Sequence, residues 1–107
     1  VANYEMAIQQ LSKVKAKDNY YSYALLYLGN AYIAVHKPMM AVMVFEQLLT
    51  LKDKSEFKAV YEWYLALAFL AAKEKQKAVE VLQQIKQHST DRYFRKKAQA
   101  LLDEINV

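Results

Sequence analysis

His36 and His88 are the two side chains in this sequence best suited to move a proton near neutral pH or to hold a metal ion. Neither stands in a ligand pattern. No carboxylate accompanies them at the H-E-x-x-H spacing, which sets two imidazoles on one helix face with a glutamate beside them. Both fall at expected helix ends, where an imidazole can satisfy free carbonyls, and capping is the reading taken. Ser12, Ser22, Ser55 and Ser89 lack the strand-to-helix setting of a nucleophile elbow, and Glu46 and Glu80 read as helix-surface acids. The absence of cysteine removes thiolate nucleophiles, disulfides, thiolate zinc sites and iron–sulfur ligation. A single glycine, Gly29, leaves no Gly-rich loop to cradle a phosphate. No catalytic residue, metal or cofactor is therefore expected. A cleft bringing a histidine together with two carboxylates is the feature that would speak for catalysis.

Binding chemistry is better represented: nine tyrosines, four phenylalanines and one tryptophan stand in 107 residues. Aromatic rings with a polar tip supply large contact area, whether in a core or at a partner surface. At 55% hydrophobic and 24% charged residues, a chain of this length builds one domain with a real core. Fifteen Lys and Arg against eleven Asp and Glu give a net charge of +4, too mild and too interspersed to argue for a polyanion. The most apolar stretches, Tyr20 to Val35 and Ala59 to Ala72, fall short of the roughly 20 residues of a membrane span and contain Asn30 and Glu62. The chain opens on Val1 with no signal-peptide layout. It is expected to be a piece of a longer protein or a processed form.

With one glycine and one proline there is little turn chemistry for an all-β fold, and apolar residues recur at three- and four-residue spacing nearly throughout. The spacing predicts an all-α chain of six helices. The first runs from about Asn3, as cap, to Val14, with Met6, Ala7, Leu11 and Val14 as its stripe. The second spans about Tyr20 to His36. Pro38 opens the third, which ends near Thr50. A loop at Lys52 to Ser55 follows, where Asp53 and Glu56 are spaced as a capping box and Ser55 is a competing cap. The fourth helix runs from about Glu56 to Ala72, the fifth from Gln76 to Gln87, and the sixth from Asp91 to Ile105. The sixth buries Phe94, Ala98, Leu101, Leu102 and Ile105, exposes Arg92, Arg95, Lys96 and Lys97, and reads as a terminal cap. Met39, Met40 and Met43 at the start of helix three read as core or packing seam rather than as an adaptable binding patch.

An internal repeat runs through these helices. Leu25, Leu28, Gly29 and Tyr32 stand at the spacings of W-x2-L-G-x2-Y with leucine for tryptophan, and Ala41 and Phe45 complete the pattern. Leu65, Ala66, Phe69, Ala78 and Leu82 repeat it, with Glu62 at the tryptophan position and Trp63 one residue later. Ala7 and Leu11 precede Ala41 and Phe45 by 34 residues, and Ala41 precedes Ala78 by 37. The pattern resembles the tetratricopeptide repeat (TPR) family over about residues 3 to 90. It divides the single domain, residues 1–107, into a half unit at about 3–18, units at about 20–52 and 56–89, and a capping helix at about 91–105. Asp53 and Thr90 stand where the family often has a helix-ending proline. Gly29 costs about 1 kcal/mol relative to alanine inside a helix, which points to a close approach of two helices at that position rather than to a ligand.

The resemblance implies a right-handed superhelix of antiparallel helix pairs whose first helices line a concave surface that holds a partner protein or peptide. On that surface would stand Tyr23, Leu26, Tyr27 and Asn30 from helix two, with Trp63, Tyr64 and Leu67 from helix four. Alternatively, other parts of the fold cover these side chains. Asn30 matches one position of the family's carboxylate clamp for chaperone tails, but Leu26, Val60 and Tyr64 stand where cations are needed, so no such clamp is expected. Lys13, Lys15 and Lys17, and the basic start of helix six, read as solvated faces, and no nucleic acid is expected. The half unit motivates a second expectation, an assembly module that self-associates through the helix-one face of Met6, Ala7, Leu11 and Val14. The stretch from Glu62 to Leu102 also resembles envelope-associated bacterial TPR segments.

Overall fold

Pro38 begins a helix because its fixed φ is already helical and its missing amide has no partner to lose at that position. Asp91 begins another by accepting the amide of Phe94 at 3.3 Å. The computed structural model describes residues 2–51 and 57–106. Among them are six helices and no strand: α1 (Ala2–Leu11), α2 (Tyr21–Ala34), α3 (Pro38–Leu49), α4 (Lys58–Ala71), α5 (Lys75–His88) and α6 (Arg92–Ile105). The expected loop at Lys52 to Ser55, with Asp53, Ser55 and Glu56 as caps, lies outside the described residues.

The second and fourth helices end in the same way. After Val35, His36 takes a φ of 62°, its amide reaches the carbonyl of Ile33, and the amide of Lys37 reaches Tyr32. After Ala72, Lys73 takes a φ of 62°, its amide reaches Leu70, and that of Glu74 reaches Phe69. This is the Schellman closure, which satisfies the last helical carbonyls with backbone amides alone. His36 thus caps its helix through its main chain, while His88 is the last residue of α5. The step from Tyr21 to Lys58 is 37 residues, as is that from Pro38 to Lys75, so the two helix pairs start in register and share one turn, although α3 (12 residues) is shorter than α5 (14 residues).

Each helix packs on its sequence neighbours, and α2 also meets α4 as α4 meets α6. The even-numbered helices therefore form one layer and the odd-numbered helices the other. The principal extents of 39 × 30 × 18 Å fit two helix layers at roughly 10 Å per helix. One core joins Leu25, Leu28, Phe45, Leu48, Tyr61, Leu65 and Phe69, and a second joins Ala66, Leu82, Ile85, Ala98 and Leu102. Gly29 lies against the ring of Phe45, and a Cβ there would come within 3.0 Å of three ring carbons. That is the close approach the helix-interior glycine implies.

Five expectations are corrected. Asn3 lies inside α1, and α1 stops at Leu11, after which the amides of Lys13 and Val14 turn back to Gln10 and Leu11. The buried side of α1 carries Ile8 and Leu11, while Met6 faces solvent. Met39, Met40 and Met43 are exposed as well, because α3 buries Ala41, Val42, Val44, Phe45 and Leu48 and the methionines fall on its other side. Of the basic residues on α6, Arg95 and Lys97 are half-buried, and the Arg95 guanidinium donates to the carbonyl of Ser89 at 2.9 Å.

Candidate functional site

α2 turns its large apolar residues toward α3 and α4, so the residues on its opposite side are left to solvent. Tyr23 and Tyr27, one turn apart on that side, are 60% and 68% exposed. Asn30 follows in the same stripe, half-buried, its amide donating to the carbonyl of Leu26 at 2.9 Å. Leu26 itself packs against the first core.

The corresponding residues of α4 are more covered. Tyr64 stacks on Phe45 with ring centroids 5.9 Å apart. Trp63 packs against Phe94 of α6 at 6.3 Å, and the Lys97 ammonium sits 4.9 Å above its ring and 5.2 Å from that of Tyr93. A cation over an aromatic face contributes about 0.5–1 kcal/mol where it is exposed and more when desolvated. Leu67 is half-buried. Of the seven residues expected on the partner-binding face, Tyr23 and Tyr27 are therefore free rings, whereas Leu26, Trp63 and Tyr64 have packing roles. Tyr93, exposed on α6, was not among them; its position beside Trp63 depends on how α6 lies on α4, which helical periodicity does not encode.

Beside Tyr27, the cleft between α1 and α2 opens into an apolar groove of about 490 Å³ lined by Tyr4, Ala7, Gln10, Leu11, Tyr27, Asn30 and Ala31. A second cleft, polar and about 220 Å³, lies where α4, α5 and α6 converge, and Glu62, His88 and Asp91 all line it, together with Lys58 and Gln84. It thus gathers a histidine and two carboxylates. The Asp91 carboxylate, however, caps α6 through Phe94, and Glu62 feels the charges of Lys58 and His88. Among the described residues no three His, Asp or Glu side chains are placed to hold a metal ion.

Burial raises the Glu62 carboxyl above its ordinary value of 4.5, against the pull of Lys58 and His88 in the other direction. The folded state then holds this proton more tightly than the unfolded chain, so the stability linked to Glu62 is fully present below pH 4.5 and is lost as pH rises through its folded value. Glu62→Gln is therefore expected to melt at a higher temperature than the wild type at pH 7, with the gap closing below about pH 4. Thermal melts of both proteins across this range check the sign, and a lower melting temperature for the variant at pH 7 would contradict it.

No protein-family model matches the chain, and no curated protein matches it. Among the described residues, no helix is long and apolar enough to cross a membrane.

Proposed function

We propose that this domain is a noncatalytic, TPR-like scaffold that holds a segment of a partner protein on the face of its even-numbered helices. The observation that carries the reading is the pair of solvent-facing rings, Tyr23 and Tyr27, on a helix whose other side is buried. Aromatic rings of this kind, stiff and amphipathic, concentrate binding energy, and truncating one at a hot spot costs 2 kcal/mol or more, roughly thirtyfold in affinity. Asn30, Tyr64 and Leu67 would border the bound segment, and Trp63 with Lys97 would close the α6 end of the face.

The test is capture from lysate of the source cells by wild type and by the double variant Tyr23→Ala, Tyr27→Ala. Both rings are exposed, so the circular dichroism and melting temperature of the variant are expected to match the wild type while partner capture is lost. Retention of the same proteins by both would overturn the reading.

A second reading, self-assembly through α1, draws on the exposed Met6 and on the open groove beside Ala7 and Leu11. It predicts a mass that grows with protein concentration.

A further inference from the structure

The outer side of α3 departs from the repeat at three places. Met39, Met40 and Met43 are 49%, 42% and 62% exposed. Thirty-seven residues later, at the corresponding places on α5, stand Gln76, Lys77 and Glu80, and thirty-four residues earlier, on α1, stand Glu5, Met6 and Gln9. All six are exposed, and all but Met6 are polar. The fold therefore demands no thioether at these places. Core packing does not account for the three methionines either, since α3 meets its neighbours through Ala41, Val42, Val44, Phe45 and Leu48.

Their spacing sets the three side chains on one strip of the helix. At about 3.6 residues per turn, Met43 falls roughly 40° around α3 from Met39, and Met40 roughly 100° from it, so Met43 stands between the other two. Side chains three and four residues apart start about 5–6 Å from one another at Cβ, and a methionine is unbranched and freely rotating beyond that atom. Three sulfurs held to one ion by metal–sulfur bonds of about 2.3 Å lie roughly 4 Å apart, which is within that reach. A thioether is a soft, neutral ligand with no proton to lose, and the ion it selects is copper(I). The start of α3 carries the positive end of its dipole, which opposes a singly charged ion half as strongly as a doubly charged one. Glu46, exposed one turn beyond Met43, offsets that opposition. From this departure and this spacing we infer that Met39, Met40 and Met43 form a thioether site for copper(I). The site belongs to the odd layer of helices, whereas Tyr23 and Tyr27 belong to the even layer, and it stands whether or not the even-helix face holds a partner.

The first probe is silver(I) nitrate, a redox-inert ion of the same charge and ligand preference, and the second is copper(I) supplied under nitrogen against a competing chelator. Calorimetry in chloride-free buffer is expected to show one ion bound per chain. The chain has four methionines, so a methyl-labelled sample gives four methionine methyl signals. Those of Met39, Met40 and Met43 are expected to move together on titration, while that of Met6, as exposed as the others but alone on its helix, stays in place. Met43→Leu is expected to weaken binding at least tenfold, and the triple variant Met39→Leu, Met40→Leu, Met43→Leu to lose it. Circular dichroism is expected to be unchanged in both, because leucine matches methionine in volume and helix propensity. Met6→Leu binds as the wild type does. Since thioethers carry no proton, the affinity is expected to be the same at pH 5 as at pH 7. A Kd for silver(I) above about 100 μM, equal movement of the Met6 signal, or full binding by the triple variant each overturns the proposal. So does a tenfold or greater weakening at pH 5, which would assign the ion to His36 or His88. Equal movement of the three methyl signals with zinc(II), which takes thiolate, imidazole and carboxylate ligands, also overturns it.

Discussion

Phe45→Ala is expected to lower the unfolding free energy by about 3–5 kcal/mol, the range for truncating a fully buried aromatic ring. A domain of this size has about 5–15 kcal/mol in total. Phe45 is the point where α2, α3 and α4 come together: its ring has no exposed surface, stacks on Tyr64 and presses on the backbone of Gly29. Urea unfolding followed by circular dichroism measures the loss directly. If the alanine variant does not fold, Phe45→Leu, at a cost of roughly 1–2 kcal/mol, carries the same test through its coupling to Gly29. In the wild type, Gly29→Ala gains about 1 kcal/mol of helix propensity and loses about 1–3 kcal/mol to overpacking, a net destabilisation. In the Phe45→Leu background the ring carbons nearest to Gly29 are gone, and the same substitution becomes stabilising. A reversal of sign identifies the ring as the reason for the glycine. Gly29→Ala that stabilises both backgrounds would show that the ring gives way.

Trp63→Ala has the second-largest expected effect, a loss of about 2–3 kcal/mol, somewhat under the range for a fully buried tryptophan because the indole is half-exposed. The indole joins α4 to α6 through Phe94 and carries the Lys97 ammonium on its face, so its removal frees the start of α6 as well as cutting the global stability. As the single tryptophan of the chain, it reports on this junction by its own fluorescence in the wild type. Lys97→Met keeps the aliphatic stem and removes the charge, and is expected to shift that emission with a stability change of about 1 kcal/mol or less. A Trp63→Ala protein with unchanged stability and lost partner capture would overturn its role as the α4–α6 joint and leave it as a partner contact alone.

Helix count and order follow from apolar spacing, and several ends follow from single residues: Pro38 at the start of α3, Asp91 ahead of α6. The small residues Gly29, Ala41, Ala66 and Ala78 mark close contacts, and all four are buried. Periodicity is silent about which side of an apolar helix meets its neighbours. In α3 almost every position is apolar, so the pattern has no phase, and Met39, Met40 and Met43 came out exposed. The aromatic face divided for a related reason: α2 borders an open groove, whereas α4 is followed by α6, whose lie decides how much of Trp63 is covered. His88 ends α5 and Asp91 stands just ahead of α6, three residues on, but Glu62 comes from α4, and no local spacing announces its meeting with them.

The neighbour-to-neighbour packing of the helices also has a kinetic side. Every contact that holds α3 to α2 or α4 closes a short stretch of chain, so little loop entropy stands between the unfolded chain and its first stable piece. A stack of this kind can begin to form at any neighbouring pair of helices and grow from there one helix at a time. The aromatic rings of α2 then belong to a helix that α1, α3 and α4 all meet, so whichever neighbouring pair forms first, these rings sit beside a surface that is already folded.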